Sequence, residues 1–150
     1  MANINALISH RFRGFSNQEN TIAGITAALE FGVQIVEFDI RVTGCGKPLI
    51  YHDEYAMDKS GKKRNISNTY ANDLTRHGGT FSYIPTADAL FEAAAKHPNK
   101  TCKLLVDIKD FGFEEQINAL IHLHGLENRT VYVSWVPNVL YKMAEIAPHI

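Results

Sequence analysis

The sequence predicts one α/β domain over residues 1–150 with a parallel sheet, and three observations support this prediction. Short β-branched runs alternate with amphipathic helical patterns along the chain. Strands that are separated by helices pair in parallel through right-handed crossovers. No internal repeat, low-complexity segment or linker divides the chain, so the elements are expected to share one hydrophobic core.

The strands are predicted from short runs that are rich in Val, Ile, Leu and aromatic residues. In chain order these runs are Ala6–His10, Gln34–Ile40, Pro48–His52, Lys103–Lys109 and Thr130–Trp135. The helices are predicted from apolar residues at helical spacing in the segments Thr21–Phe31, Thr86–Lys96, Gly112–His124 and Asn138–Ala147. About five strand–helix units are therefore expected.

Residues at the ends of these patterns are those that favour helix boundaries. Asn20 is placed to cap the start of the first helix, and Gly32 to close its end. Thr86 is the expected N-cap of the second helix. Pro137 suits the first turn of the last helix. The elements are thus bounded by local signals as well as by periodicity.

One segment departs from this alternation. Residues 54–83 are polar and lose the periodic pattern, apart from a weak helical signal around 70–76. A connection of this length is uncommon inside a compact α/β domain, and it is often functional when present. We expect it to be a long loop or insertion on the active-site face, with a tolerated surface insertion as the alternative.

Composition excludes several classes of protein. The chain has 150 residues, 15 Lys and Arg against 16 Asp and Glu, and a formal net charge of −1. Without a field of one sign, a nucleic-acid partner is not expected. No apolar run is long enough for a membrane span, and no secretory signal is recognised. The 2 cysteines are too few for a disulfide framework. We therefore expect a cytoplasmic protein.

Polar residues stand where buried strands should be apolar. Central parallel strands are covered on both faces and normally read as continuous apolar runs. Here one face of four predicted strands turns polar toward the C-terminal end, and the side chains concerned are His10, Glu37, Asp39, His52, Asp107 and Lys109. Ligands of parallel α/β folds gather at these strand ends. The pattern therefore predicts a functional site.

The residue types indicate the chemistry of that site. Buried carboxylates need a compensating charge, and Glu37, Asp39 and Asp107 offer only hard oxygen ligands, which favour Mg²⁺ or Ca²⁺. His10 and His52 are candidate proton-transfer groups near neutral pH, and Arg11 and Lys109 are candidate ligands of an anion such as phosphate.

A structural explanation is the alternative for each residue taken singly. A histidine at a strand end is more often structural than catalytic. Glu37 and Asp39 could form buried salt bridges with Arg11, Arg41 or Lys109. The basic residues of 59–64 most simply form a solvated loop. All the strand-end residues together make coincidence a poor explanation.

The same residues resemble the glycerophosphodiester phosphodiesterase family. Four segments match its motifs H-R-G, P-E-N-T, I-E-x-D-V and V-x-H-D in order, and they are Ile8–Arg11, Glu19–Thr21, Val36–Asp39 and Pro48–Asp53. Two more segments, Ile84–Thr86 and Val106–Lys109, resemble its I-P-T and I-E-I-K motifs. The resemblance extends from residue 7 to about residue 148 and is most specific in the first third.

The resemblance implies a TIM barrel that hydrolyses glycerophosphodiesters to glycerol 3-phosphate and an alcohol with a divalent cation, Mg²⁺ or Ca²⁺. Carried onto matching positions, His10 and His52 would be the general acid and base, in either order. The metal ligands would be Glu37, Asp39 and Asp107. Arg11 and Lys109 would hold the phosphate.

Four positions depart from the family's motifs. Phe12 replaces the glycine of H-R-G, which alters the first loop and makes Arg13 a second candidate phosphate ligand. Gln18 replaces the proline of P-E-N-T, and Cys45 replaces the Asp of a T-x-D-G turn. Asp107 replaces a Glu and withdraws its carboxylate by one methylene, a scale of displacement that can cost about 100-fold in rate.

Length predicts an incomplete barrel. A full TIM barrel takes roughly 250 residues, and about five units cannot close. The expected explanations are a longer protein, a second copy that completes the barrel as a homo-oligomer, or a degenerate product.

Other functions compatible with the sequence are a lysophospholipase D-like or sugar-phosphodiester hydrolase and a non-catalytic half-barrel for binding or assembly. A zinc amidohydrolase is disfavoured because the first strand lacks a His-x-His pair.

Overall fold

The structure is a computed structural model and describes residues 7–150. It contains seven strands and five α-helices, together with short 3₁₀ turns. In chain order they are β1 (Ile8–His10), α1 (Ile22–Phe31), β2 (Ile35–Val42), β3 (Pro48–Ile50), β4 (Tyr55–Met57), β5 (Lys63–Asn65), α2 (Leu74–His77), α3 (Ala87–Lys96), β6 (Lys103–Ile108), α4 (Glu114–Leu123), β7 (Thr130–Val133) and α5 (Pro137–Ile146).

The main sheet is parallel, as the alternation of strands and helices predicts. Its strands lie in the order β1-β2-β6-β7, and all three pairings between these neighbours are parallel. β1, β6 and β7 are each followed by a long helix, and β2 is followed by β3 and residues 54–83 before its helix, α3. Within residues 7–150, β1 and β7 are the two edges and do not pair, so the sheet is an open arc.

One predicted strand runs in the opposite direction. The run Pro48–His52 was expected in the parallel sheet, but β3 ends at Ile50 and pairs antiparallel with the end of β2. The reason is the connection between them, a tight turn in which Thr43 N donates to Lys47 O and Gly46 N donates to Thr43 O. A crossover to a parallel strand takes a dozen or more residues, whereas a tight turn permits only a hairpin.

The long helices agree with the predicted segments to within about two residues. Thr86 caps α3 by accepting from Ala89 N, and Gly32 closes α1 at a φ of 84°. The cap of α1 is Thr21, which accepts from Gly24 N, so the prediction that Asn20 caps this helix is wrong. No helix of the described residues is long and apolar enough to cross a membrane.

The two faces of the parallel sheet differ in chemistry, as the strand patterns predict. Side chains of one face are completely buried under the helices, and they are Val36, Phe38, Ile40, Leu104, Val106 and Ile108. The opposite face carries Glu37, Asp39 and Asp107 in the C-terminal halves of β2 and β6. On that face Ile8 is 54% exposed and Val131 is 42% exposed, so its apolar part is not covered within residues 7–150. Residue 6 of the first predicted strand lies outside the described residues.

Phe12 occupies a left-handed backbone conformation at the position of the family's glycine, with a φ of 59°. Its ring is fully buried and lies 5.8 Å from the ring of Phe38 between centroids. The backbone cost of this conformation is about 1–2 kcal/mol for a residue with a Cβ. Burial of the phenyl group offsets that cost. The first loop is therefore anchored to the core by a residue whose backbone is strained.

We expect Phe12→Gly to be more stable than Phe12→Ala by about 1 kcal/mol, the reverse of the usual order. Both variants lose the phenyl group, which costs about 3–5 kcal/mol for Phe→Ala in a core. Only glycine also relieves the positive φ. Urea denaturation measures the free energy of unfolding of both variants. The matched controls are Phe91→Gly and Phe91→Ala, at a phenylalanine that is fully buried in α3. At Phe91 the glycine variant should be the less stable one by about 1 kcal/mol. A Phe12→Ala chain as stable as the Phe12→Gly chain would contradict the argument.

Residues 54–83 form a small ordered unit rather than an extended loop. Strands β4 and β5 pair antiparallel, and 3₁₀ turns and α2 follow them. The turn between the strands is built on the buried carboxylate of Asp58. It accepts from Ser60 N at 2.8 Å, Lys62 N at 3.0 Å and Arg64 Nε at 2.7 Å. These bonds, led by one from the Ser60 hydroxyl, hold the pKa of Asp58 far below its ordinary value.

Acid is expected to weaken this unit through Asp58. A carboxyl whose pKa is depressed in the folded state stabilises the fold above its unfolded pKa, about 3.9, and loses that contribution as the pH falls toward the folded value. The stability advantage of the wild type over Asp58→Asn should therefore shrink as the pH falls below about 4. Thermal unfolding of both chains between about pH 2.5 and pH 6 measures it. Asp73→Asn, which removes only a surface pair with Arg76, should show little change, and a constant Asp58→Asn difference would refute the assignment.

Candidate active site

The polar ends of three parallel strands meet at one edge of the sheet. In the register of β1 and β2, His10 lies opposite Glu37, and in the register of β2 and β6, Asp39 lies opposite Asp107. Glu37 and Asp39 are two residues apart and share a face of β2. Parallel pairing therefore brings onto one surface the side chains that the sequence placed at separate strand ends.

Glu37, Asp39 and Asp107 form a carboxylate cluster. Each offers one oxygen, and these oxygens all lie within 4.8 Å of one another. The residues are buried, with 9%, 0% and 8% of their surface exposed. Oδ1 of Asp107 is buried and accepts no hydrogen bond from any residue in 7–150, whereas Oδ1 of Asp39, also buried, has the Lys109 ammonium 2.9 Å away. Three converging carboxylates, one of them with an oxygen that has no donor, suit a hard divalent cation, so the residues present fit such an ion.

Two cationic side chains stand beside the carboxylate cluster. Arg11 Nε lies 3.0 Å from Asp39 Oδ2, and Lys109 Nζ lies 2.9 Å from Asp39 Oδ1 and also contacts Asp107 Oδ2. Arg41, an expected alternative partner, pairs with Asp110 instead. With all three carboxylates ionised, the five groups carry a formal charge of −1. The salt bridges considered for Arg11 and Lys109 are therefore present, and one negative charge of the cluster remains uncompensated.

The two carboxyls of β2 respond oppositely to this environment. Burial alone would raise the pKa of Asp39, but the hydrogen bond from Asn20 and the charges of Lys109 and Arg11 outweigh it and lower this pKa. Burial and the neighbouring charge of Asp39 raise the pKa of Glu37 to about 7. Glu37 is thus the carboxyl that most lacks a positive partner.

Asn20 organises this site in a way that the sequence did not reveal. Its Nδ2 donates to Asp39 Oδ2 at 2.9 Å, and its Oδ1 accepts from the Asp39 amide at 3.4 Å. Asn20 is buried and has a φ of 56°. Neighbouring Arg11 also has a positive φ, 53°, and its backbone carbonyl accepts from Asn20 N at 2.9 Å. The only sequence signal was the match of Glu19–Thr21 to the family's P-E-N-T motif, because Asn20 is also a good helix cap.

His10 lies at the rim of the carboxylate cluster. Its Nε2 is 3.7 Å from Glu37 Oε2, and 52% of its side chain is exposed. Partial burial and the charges of Arg11 and Arg13 lower the pKa of His10 below its ordinary value of 6.5. The neutral imidazole is therefore favoured near neutral pH, which is the form that accepts a proton.

His52 follows β3 and is held by its backbone. The amide of Tyr51 donates to Asp39 O at 3.0 Å. This bond places His52, the next residue, beside the C-terminal half of β2. The carbonyl of His52 accepts from Arg41 Nε at 3.0 Å, and Arg41 is braced in turn by Asp110. The ring of His52 makes its contact with Asp53, at 2.6 Å from Nδ1 to Oδ1. Among the described residues, the ring of His52 has no hydrogen bond or ion pair with the carboxylate cluster or its two cations.

Arg13, the second candidate for phosphate, lies outside the carboxylate cluster. Its Nε donates to Glu19 Oε2 at 2.8 Å, and Arg11 Nη1 contacts Glu19 Oε1 at 3.3 Å. Glu19 thus links the two arginines of the first loop. Taken together, the edge of the sheet can bind a divalent cation, attract an anion and exchange a proton at His10.

Comparison with known proteins agrees with the geometry. Residues 9–148 match the model of the Glycerophosphoryl diester phosphodiesterase family. Human glycerophosphodiester phosphodiesterase 1 is 30% identical over 151 residues, which cover 92% of this chain and 45% of that protein. The chain therefore spans less than half the length of this curated relative.

Solved structures share the fold. One from Silicibacter pomeroyi, named as a glycerophosphoryl diester phosphodiesterase, superposes with a TM-score of 0.82 at 21% identity, over 95% of this chain and 61% of that one. An Oleispira antarctica phosphodiesterase in complex with its product sn-glycerol-3-phosphate has a TM-score of 0.70 at 24% identity, over 94% of this chain and 62% of that one. The open sheet is thus an incomplete (β/α) barrel of TIM type, which confirms the predicted fold class.

Proposed function

The chain belongs to the glycerophosphoryl diester phosphodiesterase family, and from that premise we propose that it carries the catalytic residues of a metal-dependent phosphodiester hydrolase. The products would be glycerol 3-phosphate and an alcohol. The observation that carries this proposal is the convergence of Glu37, Asp39 and Asp107 within 4.8 Å, at the strand ends where His10 also lies. A phosphodiesterase of similar fold with bound sn-glycerol-3-phosphate supports the substrate class.

The carboxylate cluster would hold one Mg²⁺ or Ca²⁺ ion. All-oxygen ligands of this kind suit either cation, and Oδ1 of Asp107 has no hydrogen-bond donor among residues 7–150, so it is available as a ligand. A bound divalent cation supplies charge that stabilises the phosphoryl oxygens in the transition state. Activity should therefore require the ion and be lost on chelation.

Charge balance at the site favours a phosphodiester. The carboxylate cluster with Arg11 and Lys109 carries a formal charge of −1, so a divalent cation would bring it to +1. A phosphodiester carries one negative charge, which would neutralise the site beside the buried carboxylates, where uncompensated charge is costly. A monoester dianion would instead leave excess negative charge there, which agrees with a product that must dissociate.

Arg11 and Lys109 would orient the phosphate from their positions beside Asp39. Arg11 is held by Asp39 through Nε and by Glu19 through Nη1, so its plane is fixed before substrate arrives. Lys109 is buried between two carboxylates, which raise its pKa although burial alone would lower it, and it stays an ammonium. Because these two cations are already held in place, little reorganisation is needed when negative charge develops on the phosphoryl oxygens in the transition state.

His10 and His52 would transfer the protons. One imidazole accepts the proton of the nucleophile, either the glycerol hydroxyl or water, and the other donates a proton to the leaving alkoxide. The lowered pKa of His10 suits the accepting role. His52 pairs with Asp53, a contact that fixes its ring and favours a proton on Nδ1.

Release of glycerol 3-phosphate from glycerophosphocholine and glycerophosphoethanolamine, with Mg²⁺ or Ca²⁺ and after chelation, tests the proposed function. Metal-dependent release is expected. No release with either ion in any oligomeric state would reject it for this chain. Two further expectations stay predictions, the cytoplasmic location and completion of the barrel by a second copy. Size-exclusion chromatography with light scattering tests the latter.

A further inference from the structure

A groove lies beside the carboxylate cluster, between the first loop and residues 80–85. Its volume is about 570 Å³, within the range of small-molecule sites. We call it the side groove, and its walls are residues 13–14, 16–21, 50–51, 80 and 83–85. Residue 80 belongs to the unit 54–83, so this unit takes part in forming the groove.

The side groove shares a wall with the candidate active site. Asn20 lines it and donates to Asp39 of the carboxylate cluster. Tyr51 also lines it and donates its amide to Asp39 O. A substrate whose phosphate meets Arg11 would thus have one of its two arms within reach of the groove, since Arg11 contacts Glu19 in the groove wall.

The charges of the side groove do not suit a cationic ligand. A quaternary ammonium is bound by a cage of aromatic faces, and a carboxylate that has no other cationic partner adds attraction to its charge. Glu19 is the one carboxylate of the wall, and both of its oxygens are engaged, by Arg11 and Arg13. Among the lining residues Arg13 and Glu19 neutralise each other, and no carboxylate of the wall is left free to attract the cationic head of choline or ethanolamine.

The remaining walls offer neutral hydrogen-bonding groups and aromatic surface. The side-chain amides of Asn17 and Gln18 and the hydroxyl of Thr80 form no hydrogen bond with any other residue in 7–150, so they are free to bind a ligand. Amides and hydroxyls both donate and accept, which matches a polyhydroxylated ligand. The ring of Tyr83, 63% exposed, offers a flat apolar face at the same groove.

We propose that the side groove binds the alcohol arm of the substrate and selects a neutral polyol, such as a cyclitol, sugar or glycerol group. This inference rests on the proposed function and specifies its substrate class. Gln18 and Tyr83 are the specificity residues, and they act by binding the alcohol rather than by taking part in the chemical step.

The test compares kcat/KM for glycerophosphoinositol and glycerophosphocholine in the wild type, Gln18→Ala and Tyr83→Ala. The wild type should prefer the inositol diester by about 10-fold or more. Each variant should lower that preference by about 5-fold, the loss of roughly one hydrogen bond or stacking contact. Tyr141→Ala, which removes an exposed ring on α5 far along the chain from the groove, is the control and should keep both values.

A binding measurement separates this proposal from the proposed function. Saturation-transfer NMR with glycerophosphoinositol and Mg²⁺ should show contact to the inositol protons, and Tyr83→Ala should weaken it. If no diester is hydrolysed but this contact is seen, the groove assignment holds and the catalytic proposal fails. If diesters are hydrolysed with an unchanged or choline-favouring ratio in both variants, or if the inositol protons show no contact, the groove assignment is wrong.

Discussion

Glu37→Gln should abolish divalent-cation binding and lower diesterase activity by about 100-fold or more, without loss of stability. Glu37 sits among like charges, and its charged form is disfavoured by burial and by Asp39. Glutamine preserves the shape and removes the repulsion. It can still accept the hydrogen bond from Arg11 N, which spans 3.2 Å in the structure. The ionised Glu37 carboxylate is thus expected to lower the stability of the metal-free protein and to be required for binding the ion, a trade-off that is common at functional sites.

Isothermal titration with Mg²⁺ and Ca²⁺ and urea denaturation without metal measure the two halves of this expectation. Glu115→Gln, on the exposed side of α4, is the matched control and should bind metal as the wild type does. A Glu37→Gln chain that is several kcal/mol less stable would show that Glu37 is a structural residue. One that binds metal normally would remove it from the ligand set.

His10→Ala and His52→Ala should each lower kcat by about 10²- to 10⁴-fold while metal binding persists. His10 borders the carboxylate cluster at 3.7 Å from Glu37 but contributes no oxygen ligand, so its loss should remove proton transfer rather than the ion. His52 is placed by its backbone, through Arg41 and the amide of Tyr51, so alanine should leave its carbonyl contacts in place.

Steady-state kinetics on the better glycerophosphodiester, with metal titration in parallel, measure these effects. His122→Ala is the control, because His122 is exposed on α4 and contacts only Glu127, at 4.0 Å. Normal turnover after loss of either His10 or His52 would exclude that residue as acid or base. An equal loss of metal binding would make it a ligand instead.

The convergence of the site was predictable because it depends on two short-range regularities. Alternation along a strand puts Glu37 and Asp39 on one face, and parallel pairing brings the carboxyl ends of neighbouring strands to one edge. Both regularities hold for any parallel α/β sheet, so Asp107 was expected at the same edge as Asp39 without a structure. The apolar residues of the same strands were likewise assigned correctly to the buried face.

Features for which neighbouring residues suit the same role equally well could not be predicted from the sequence. Asn20 and Thr21 are both good N-caps, and only the fold shows that Thr21 caps α1 while Asn20 reaches Asp39. A phenylalanine with a positive φ, as at Phe12, is rare, and its burial against Phe38 is a tertiary effect. The direction of β3 depended on recognising 43–46 as a turn, which the presence of Gly44 and Gly46 would have suggested.

The central claim, that one cation joins Glu37, Asp39 and Asp107, is tested most directly by anomalous diffraction from crystals soaked in Mn²⁺ as a stand-in for Mg²⁺. We expect a single strong peak at this edge of the sheet, with an oxygen of each carboxylate between about 2.0 and 2.6 Å from it. No peak, or a peak bound by only one of the three side chains, would contradict the account.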